Sequence, residues 1–396
     1  MKFHQLFLEI DRFLFVYYNI RQWKNEATGN RRRETRRAGT LPSVSPRQEI
    51  VMDGQERIRQ LIQVLPDWFA ANARDLPWRK DREPYHVWLS EIMLQQTRVE
   101  AVKGYYARFL AAVPELPALA AADPELLHKL WEGLGYYSRV RNLQKAAQTV
   151  TAQFHGVFPH DYASIRALPG IGDYTAGAIC SICFDLPTPA VDGNVLRVLT
   201  RLTADGRCVD EPAVKRALGE RLAACYPETG AGTLTQALME LGATVCLPNG
   251  EPKCASCPAA AFCAARETGS WQRYPVRAEK KARRVEQRTV FVFSCDGALA
   301  LRKRRNSGLL AGLWEFPNLP GRLEPQAALD QAAAWGLHPR GLEKQVERTH
   351  VFTHVQWEMR CYYVNCSTQA EGFTWADEAA LDGQYALPTA FRMFRY

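Results

Sequence analysis

No stretch of this 396-residue chain stays apolar for the roughly 20 residues that a membrane-spanning helix needs. An ordered export signal is missing too. Phe7–Tyr18 is apolar and aromatic, but Glu9, Asp11 and Arg12 interrupt it, and neither a basic start nor a small-residue cleavage site frames it. There is no strong excess of one charge: 50 Lys and Arg against 42 Asp and Glu leave a net +8, which permits a nucleic-acid partner without demanding one. Nor do the cysteines make a disulfide scaffold. There are 11, an odd number, and four crowd between Cys246 and Cys263, which suits a metal site in a reducing compartment. What the chain does have is length and apolar content. With 47% hydrophobic residues it can bury real cores, and its size suits two or three domains.

Four segments differ in texture. Residues 1–51 carry the run Arg31, Arg32, Arg33, Arg36 and Arg37, followed by Pro42, Ser43, Ser45 and Pro46, and read as a disordered arm. A second Met at Met52 suggests that this arm comes from a misassigned start. Residues 52–266 read as helical and contain no run of alternating strands. Apolar positions recur at three and four, as in Val195, Val198, Leu199 and Leu202, between breakers such as Pro77, Pro114, Pro159 and Pro187. Residues 267–286 form a basic linker around Pro275. Residues 287–396 read as an α+β domain, with strands expected at Thr289–Ser294, Leu299–Arg302 and Glu358–Val364 and a helix at Ala327–Trp335.

Three constellations carry chemistry. Cys246, Cys254, Cys257 and Cys263 are spaced C-x7-C-x2-C-x5-C, close enough for four thiolates to share a [4Fe–4S] cluster or a zinc ion, and spacing alone does not choose. Lys253 in that loop can face a phosphate. Leu168-Pro169-Gly170-Ile171-Gly172 separates two helical segments. Pro169 ends the first, Gly170 and Gly172 are expected to take turns that other residues resist, and the next helix starts with bare N–H groups that can hold a phosphate. The bland alternative is an ordinary helix–helix turn. Finally, Glu91 is an acid in the apolar run Val87–Leu94, and Asp192 stands just before a helix in Val191-Asp192-Gly193-Asn194-Val195. A lone helical Glu is more often a surface residue, and Asp192 suits an N-cap. Cleaving a glycosidic bond, however, needs both a buried acid for the leaving base and a carboxylate facing a cationic sugar.

These motifs come in one order with Leu76-Pro77-Trp78-Arg79, Ser90-Glu91-Ile92-Met93-Leu94-Gln95-Gln96-Thr97 and Gly133-Leu134-Gly135-Tyr136-Tyr137. That order resembles the MutY adenine glycosylases of the endonuclease III superfamily over residues 54–396, including a C-terminal domain similar to MutT-type Nudix domains. The resemblance implies an all-α helix-hairpin-helix glycosylase region with an iron–sulfur loop, followed by a Nudix-like α+β domain. It implies Glu91 as the acid that protonates adenine N7 and Asp192 as the carboxylate that stabilises the oxocarbenium ion, with Tyr174 and Asn194 in the same pocket. Trp78, Arg79, Leu94 and Gln236 would enclose the flipped adenine. Gln96 and Tyr136 would push into the base stack, with Thr97 and Leu134 beside them. Phe352, Thr353 and His354 would read 8-oxoguanine, and the cysteines would hold [4Fe–4S]. The implied partner is double-stranded DNA with adenine opposite 8-oxoguanine or guanine, bound by a monomer in a bacterial-type cytoplasm at the nucleoid.

The sequence departs from the family pattern in places. The first cysteine gap is one residue longer than usual, Leu196 stands where some members carry Lys, and Thr353 replaces a Ser. Rival readings lose on particular residues. An endonuclease III-type lyase needs an amine where Tyr174 stands. A Nudix hydrolase needs glutamates where the chain has Ala333-Ala334-Trp335-Gly336. An inactive DNA-binding protein would not need both Glu91 and Asp192.

Overall fold

The computed structural model describes residues 52–279 and 282–395. The arm expected over 1–51 lies outside them, as do Lys280 and Lys281 of the expected linker. The chain opens with α1 (Gly54–Asn72), capped by the Asp53 carboxylate on the Gln55 and Glu56 N–H groups. A 3₁₀ turn over Pro77–Arg79 leads into α2 (Pro84–Leu94), whose first residue is a proline with no N–H to leave unpaired. Then come α3 (Val99–Ala112), α4 (Leu116–Ala121), α5 (Pro124–Leu130), α6 (Ser138–Gln153), α7 (Tyr162–Ala167) and α8 (Asp173–Phe184). With α2 they enclose a first core around Trp88, Phe109 and Trp131.

After α8 the chain crosses into a second lobe, made by α9 (Gly193–Thr203), α10 (Pro212–Ala223), α11 (Ala231–Thr244) and the returning α1. The stripe Val195, Val198, Leu199 and Leu202 on α9 is buried there, as its spacing predicts, against Ile58, Leu61 and Leu65 of α1. The short α12 (Ala264–Glu267) closes the cysteine loop. Two lobes joined by crossing segments leave a seam, floored by the small cluster Val87, Ala178, Ile182 and Ala190.

The C-terminal domain is a mixed sheet with helices on both faces. Its elements are β1 (Arg284–Cys295), β2 (Ala298–Lys303), β3 (Trp314–Glu315), β4 (Asn318–Pro320), α13 (Pro325–Ala334), β5 (Pro339–Val351), β6 (Val355–Cys366), β7 (Thr374–Ala376), α14 (Glu378–Gly383) and α15 (Thr389–Arg392). The strand order is β3-β2-β1-β6-β5, with β4 paired to β1 and β7 to β2. β1 and β6 run parallel, from Arg284 opposite Val355 to Ser294 opposite Asn365. Both are buried on both faces over their central residues, so Val290–Phe293 of β1 reads as a continuous apolar run: Val290 and Val292 meet α14 and α15, while Phe291 and Phe293 meet α13. All three expected strands and the expected helix are present, and β1 begins inside the stretch expected as linker. The domain docks on the first lobe. Glu125 accepts from the Trp314 indole (2.8 Å), Lys129 donates to the Leu381 carbonyl (2.9 Å), and Leu313 completes the first core.

Candidate active site

Glu91 projects from α2 at the seam and is almost fully buried. Tyr174, in the first turn of α8, donates its hydroxyl to Glu91 Oε2. Burial pushes the Glu91 pKa up to about 7. Asp192 adds to the rise, while the Tyr174 hydrogen bond and Arg79 oppose it. Tyr174 itself is held well above the ordinary tyrosine range by burial and by the two carboxylates, so it stays a donor. Asp192 comes from the other lobe, as the N-cap of α9. Its Oδ1 accepts from the Val195 N–H (2.7 Å) and its Oδ2 from the Asn194 side chain (2.7 Å). Burial raises its pKa, and those hydrogen bonds restrain the rise. The N-cap role and a place beside Glu91 therefore belong to the same residue.

Behind Asp192 runs a chain of polar contacts. Asn194 Oδ1 accepts from Arg197 (2.8 Å), and Arg197 also donates to the Gly242 (2.9 Å) and Cys246 (2.8 Å) carbonyls. One turn on, Arg201 donates to Cys246 Sγ (3.3 Å) and to the Leu247 carbonyl (2.8 Å). Both arginines are buried, so α9 ties the candidate carboxylate to the cysteine loop. Cys246, Cys254, Cys257 and Cys263 all line one small cavity with Arg201 and Arg266. Among the described residues no three His, Cys, Asp or Glu side chains gather tightly enough to hold a single metal ion. None of the cysteines is paired in a disulfide, and Lys253 is exposed beside them.

The residues expected around the base divide. Arg79 is half-buried and shares Glu240 of α11 with Arg74, through bonds of 2.7 to 2.9 Å. Glu240 is fully buried. Burial alone would raise its pKa, but the two guanidinium groups override that and hold it at about 2. Leu94 and Gln236 are half-buried, on α2 and α11. Trp78, by contrast, is buried edge-on against Tyr106 (5.5 Å between ring centres), as a core side chain.

Gln96 and Tyr136 are exposed, and both hold left-handed backbones (φ 59° and 47°), a conformation uncommon outside glycine. Thr97 is half-buried beside Gln96, and the Leu134 side chain is buried in the first core. The Tyr136 hydroxyl lies 3.1 Å from Thr353 Oγ1, which brings the two expected reader segments together. His354 is exposed, and Phe352 is half-buried, packed edge-on against His350 and Trp357. In the hairpin, Gly170 needs to be glycine: φ is +78°, and a Cβ would meet the Asn142 Cβ at 2.6 Å. Gly172 does not take the special turn expected of it. It is extended (φ −96°, ψ 177°) with open space around its Cα, and it serves as the N-cap of α8.

Arg139 escaped the sequence reading. It is buried, and its two terminal nitrogens donate to the carbonyls of Ile92, Met93 and Gln95 on one side and of Leu134 and Gly135 on the other. One guanidinium thus holds together the loops that present Gln96 and Tyr136. In the sequence it is one of two arginines at the start of an amphipathic helix, and no local signal marks it.

Residues 89–224 match the HhH-GPD superfamily of base excision DNA repair proteins, and residues 289–394 match the NUDIX domain. The seam with its two carboxylates and the hairpin therefore belong to a helix-hairpin-helix DNA glycosylase with an appended Nudix-fold domain. The helical region also superposes on a thermostable thymine-DNA glycosylase (26% identity, TM-score 0.50, covering 55% of this chain and 100% of the other). Within that class the chain belongs to the adenine DNA glycosylases. It is 34% identical to the adenine DNA glycosylase of Rattus norvegicus (83% of this chain, 77% of the relative) and 36% identical to that of Homo sapiens (75% and 65%).

Proposed function

We propose that this adenine DNA glycosylase removes adenine opposite 8-oxoguanine or guanine, with Glu91 as general acid and Asp192 as the carboxylate that faces the cationic sugar. The observation that carries the reading is the Glu91–Tyr174 pair. A carboxyl with a pKa near 7 can hold a proton at neutral pH, and Tyr174 occupies Oε2, which leaves Oε1 to deliver that proton to the adenine N7. As the base leaves, Asp192 stabilises the positive sugar, and its own two hydrogen bonds fix its orientation. With Tyr174 and Leu196 where amine nucleophiles would stand, the product is an abasic site and free adenine, with no strand cut.

Arg79, Leu94 and Gln236 would bound the adenine pocket, with Trp78 supporting it from the core. Gln96 and Tyr136 would enter the base stack, and Thr353 and His354 would contact the opposite base. The Gly170 turn and the α8 N-terminus would take a backbone phosphate. The four cysteines fit a [4Fe–4S] centre. Four thiols line one cavity, beside two arginines that suit an anionic thiolate cluster, and the family resemblance favours iron–sulfur over zinc. Such a group, when bound, supplies a rigid support for the loop and α9. Purified protein should then be brown, with iron and sulfide near four each per chain, and one zinc in colourless protein would refute the choice of group.

Single-turnover excision on duplexes with adenine opposite 8-oxoguanine, guanine, cytosine or thymine tests the assignment. The first two should be cut fastest. Cutting the chain between residues 267 and 283 should narrow the gap between 8-oxoguanine and guanine while cleavage itself persists. Equal rates on all four duplexes would overturn the mispair reading.

A further inference from the structure

The basic segment expected as a linker does not run free where it leaves the helical region. Arg201 donates to the Trp271 and Tyr274 carbonyls, and the Val209 N–H donates to the Val276 carbonyl (3.0 Å). The next residue, Asp210, accepts the Ala278 N–H on one carboxylate oxygen and Nη1 of Arg277 on the other, both at 3.0 Å. Residues 271–278 are thereby laid along the second lobe. Arg277 is fixed there by one nitrogen, with half of its side chain exposed.

The other side of that guanidinium lies over the start of α9. Arg277 Nη2 stands 3.7 Å from where a Cβ on Gly193 would lie, and Gly193 directly follows Asp192. Gly193 is exposed. Its φ is not left-handed, and that nitrogen is the nearest atom a Cβ would meet, at ordinary contact distance. Neither backbone nor packing therefore asks for glycine, and the missing side chain leaves room for a ligand to approach. Among the described residues, only Asp210 accepts a hydrogen bond from the Arg277 side chain. A planar guanidinium with one nitrogen anchored and another open is preorganised to grip an anion, which lowers the ordering cost of binding.

Charge selects the anion. Asp192 is read as facing the sugar, whose developing positive charge an unneutralised guanidinium would oppose. On DNA, the groups that can neutralise it are the phosphates on either side of that sugar.

We propose that Arg277, held by Asp210, binds a backbone phosphate next to the target adenosine and so sets the sugar against Asp192. Arg277 is then a substrate-binding residue of the second lobe, separate from the hairpin turn and the α8 start in the first. The choice of that phosphate rests on reading Asp192 as the carboxylate that faces the sugar.

Full-length Arg277→Gln, Arg277→Lys and Asp210→Asn are titrated with an adenine:8-oxoguanine duplex that carries a 2′-fluoro group at the target sugar to prevent base release. Arg277→Gln should bind roughly 10-fold more weakly and flatten the dependence of log affinity on log salt by about 0.9. Arg277→Lys keeps the charge and should keep most of the slope. Asp210→Asn should keep it too, since it loses the anchor and not the cation. Single neutral methylphosphonate linkages are then scanned along both strands. Neutralising a linkage that flanks the target adenosine should weaken wild type about as much as Arg277→Gln does, and should weaken Arg277→Gln itself far less. Equal losses in Arg277→Gln and Asp210→Asn, with no change of slope, would reduce the pair to a fastening of the segment and overturn the proposal. A coupled linkage remote from the adenosine would overturn it as well. Excision at the wild-type rate by Asp192→Asn would strike the reading of Asp192 instead, and the linkage scan would still decide whether Arg277 touches a phosphate.

Discussion

Glu91 and Glu240 are both buried in the helical region, yet their surroundings drive them in opposite directions. At the α2–α8 face of the seam, Glu91 has a tyrosine hydroxyl as its hydrogen-bond partner and a second carboxylate nearby, and its pKa is raised to about 7. At the α11 end, Glu240 is gripped by Arg74 and Arg79 and is held at about 2. Burial is similar in the two places, so the difference lies in the partners. A glutamate with paired guanidinium groups is a fixed anion that joins α11 to the 74–79 segment. One with only a phenol remains able to exchange a proton, and that is the property the proposed general acid needs.

The largest expected effect breaks the reactive half of this pair. Glu91→Gln should lower single-turnover adenine excision by ~10²–10⁴-fold or more while leaving duplex affinity largely intact, since the amide keeps the shape but cannot give up a proton to the base. Near-normal excision would remove Glu91 from the chemistry. Next comes the structural half. Glu240→Gln leaves Arg79 half-buried without its counter-ion and should cost about 2–3 kcal/mol in denaturant unfolding at neutral pH. Because the folded pKa of Glu240 is depressed, its stabilisation is present above about pH 4.5 and is lost as pH falls towards 2, so the gap between variant and wild type should close in acid.

The third effect has the opposite sign. The Glu91 pKa is raised on folding, so its penalty is absent below about pH 4.5 and full above about 7. Glu91→Gln should therefore stabilise the protein above neutrality, by at most about 3 kcal/mol, and change little near pH 4. An enzyme destabilised by this substitution at pH 8 would contradict the raised pKa. The smallest effect concerns Tyr174. Its hydrogen bond favours the Glu91 carboxylate, so Tyr174→Phe should move the falling limb of the pH–rate profile to higher pH, by less than the substitution of Glu91 changes the rate.

How far the sequence could reveal this depended on the range of the interactions. The helical and α+β textures, the order of the motifs and the two candidate carboxylates were legible because each lies in a local pattern. The grip of Arg74 and Arg79 on Glu240, the Arg197 and Arg201 contacts with the cysteine loop, and the Arg139 bonds to the 92–95 carbonyls were not, since they join residues 44 to 166 positions apart with no spacing rule. One reading taken from the motif alone needed correction by the backbone: Gly172 sits in an extended conformation that any residue can adopt. The Leu134 side chain is committed to the core.

The proposed chemistry turns on one protonation equilibrium of Glu91, and infrared difference spectroscopy of the free enzyme reads it directly. The protonated-carboxyl band of wild type minus Glu91→Gln is followed from pH 4 to pH 9. A band that persists at pH 6 and disappears with a midpoint near 7 is the predicted result. A midpoint near the ordinary glutamate value of about 4.3 would mean that Glu91 is ionised in the resting enzyme, and the assignment of Glu91 as the proton donor would be contradicted.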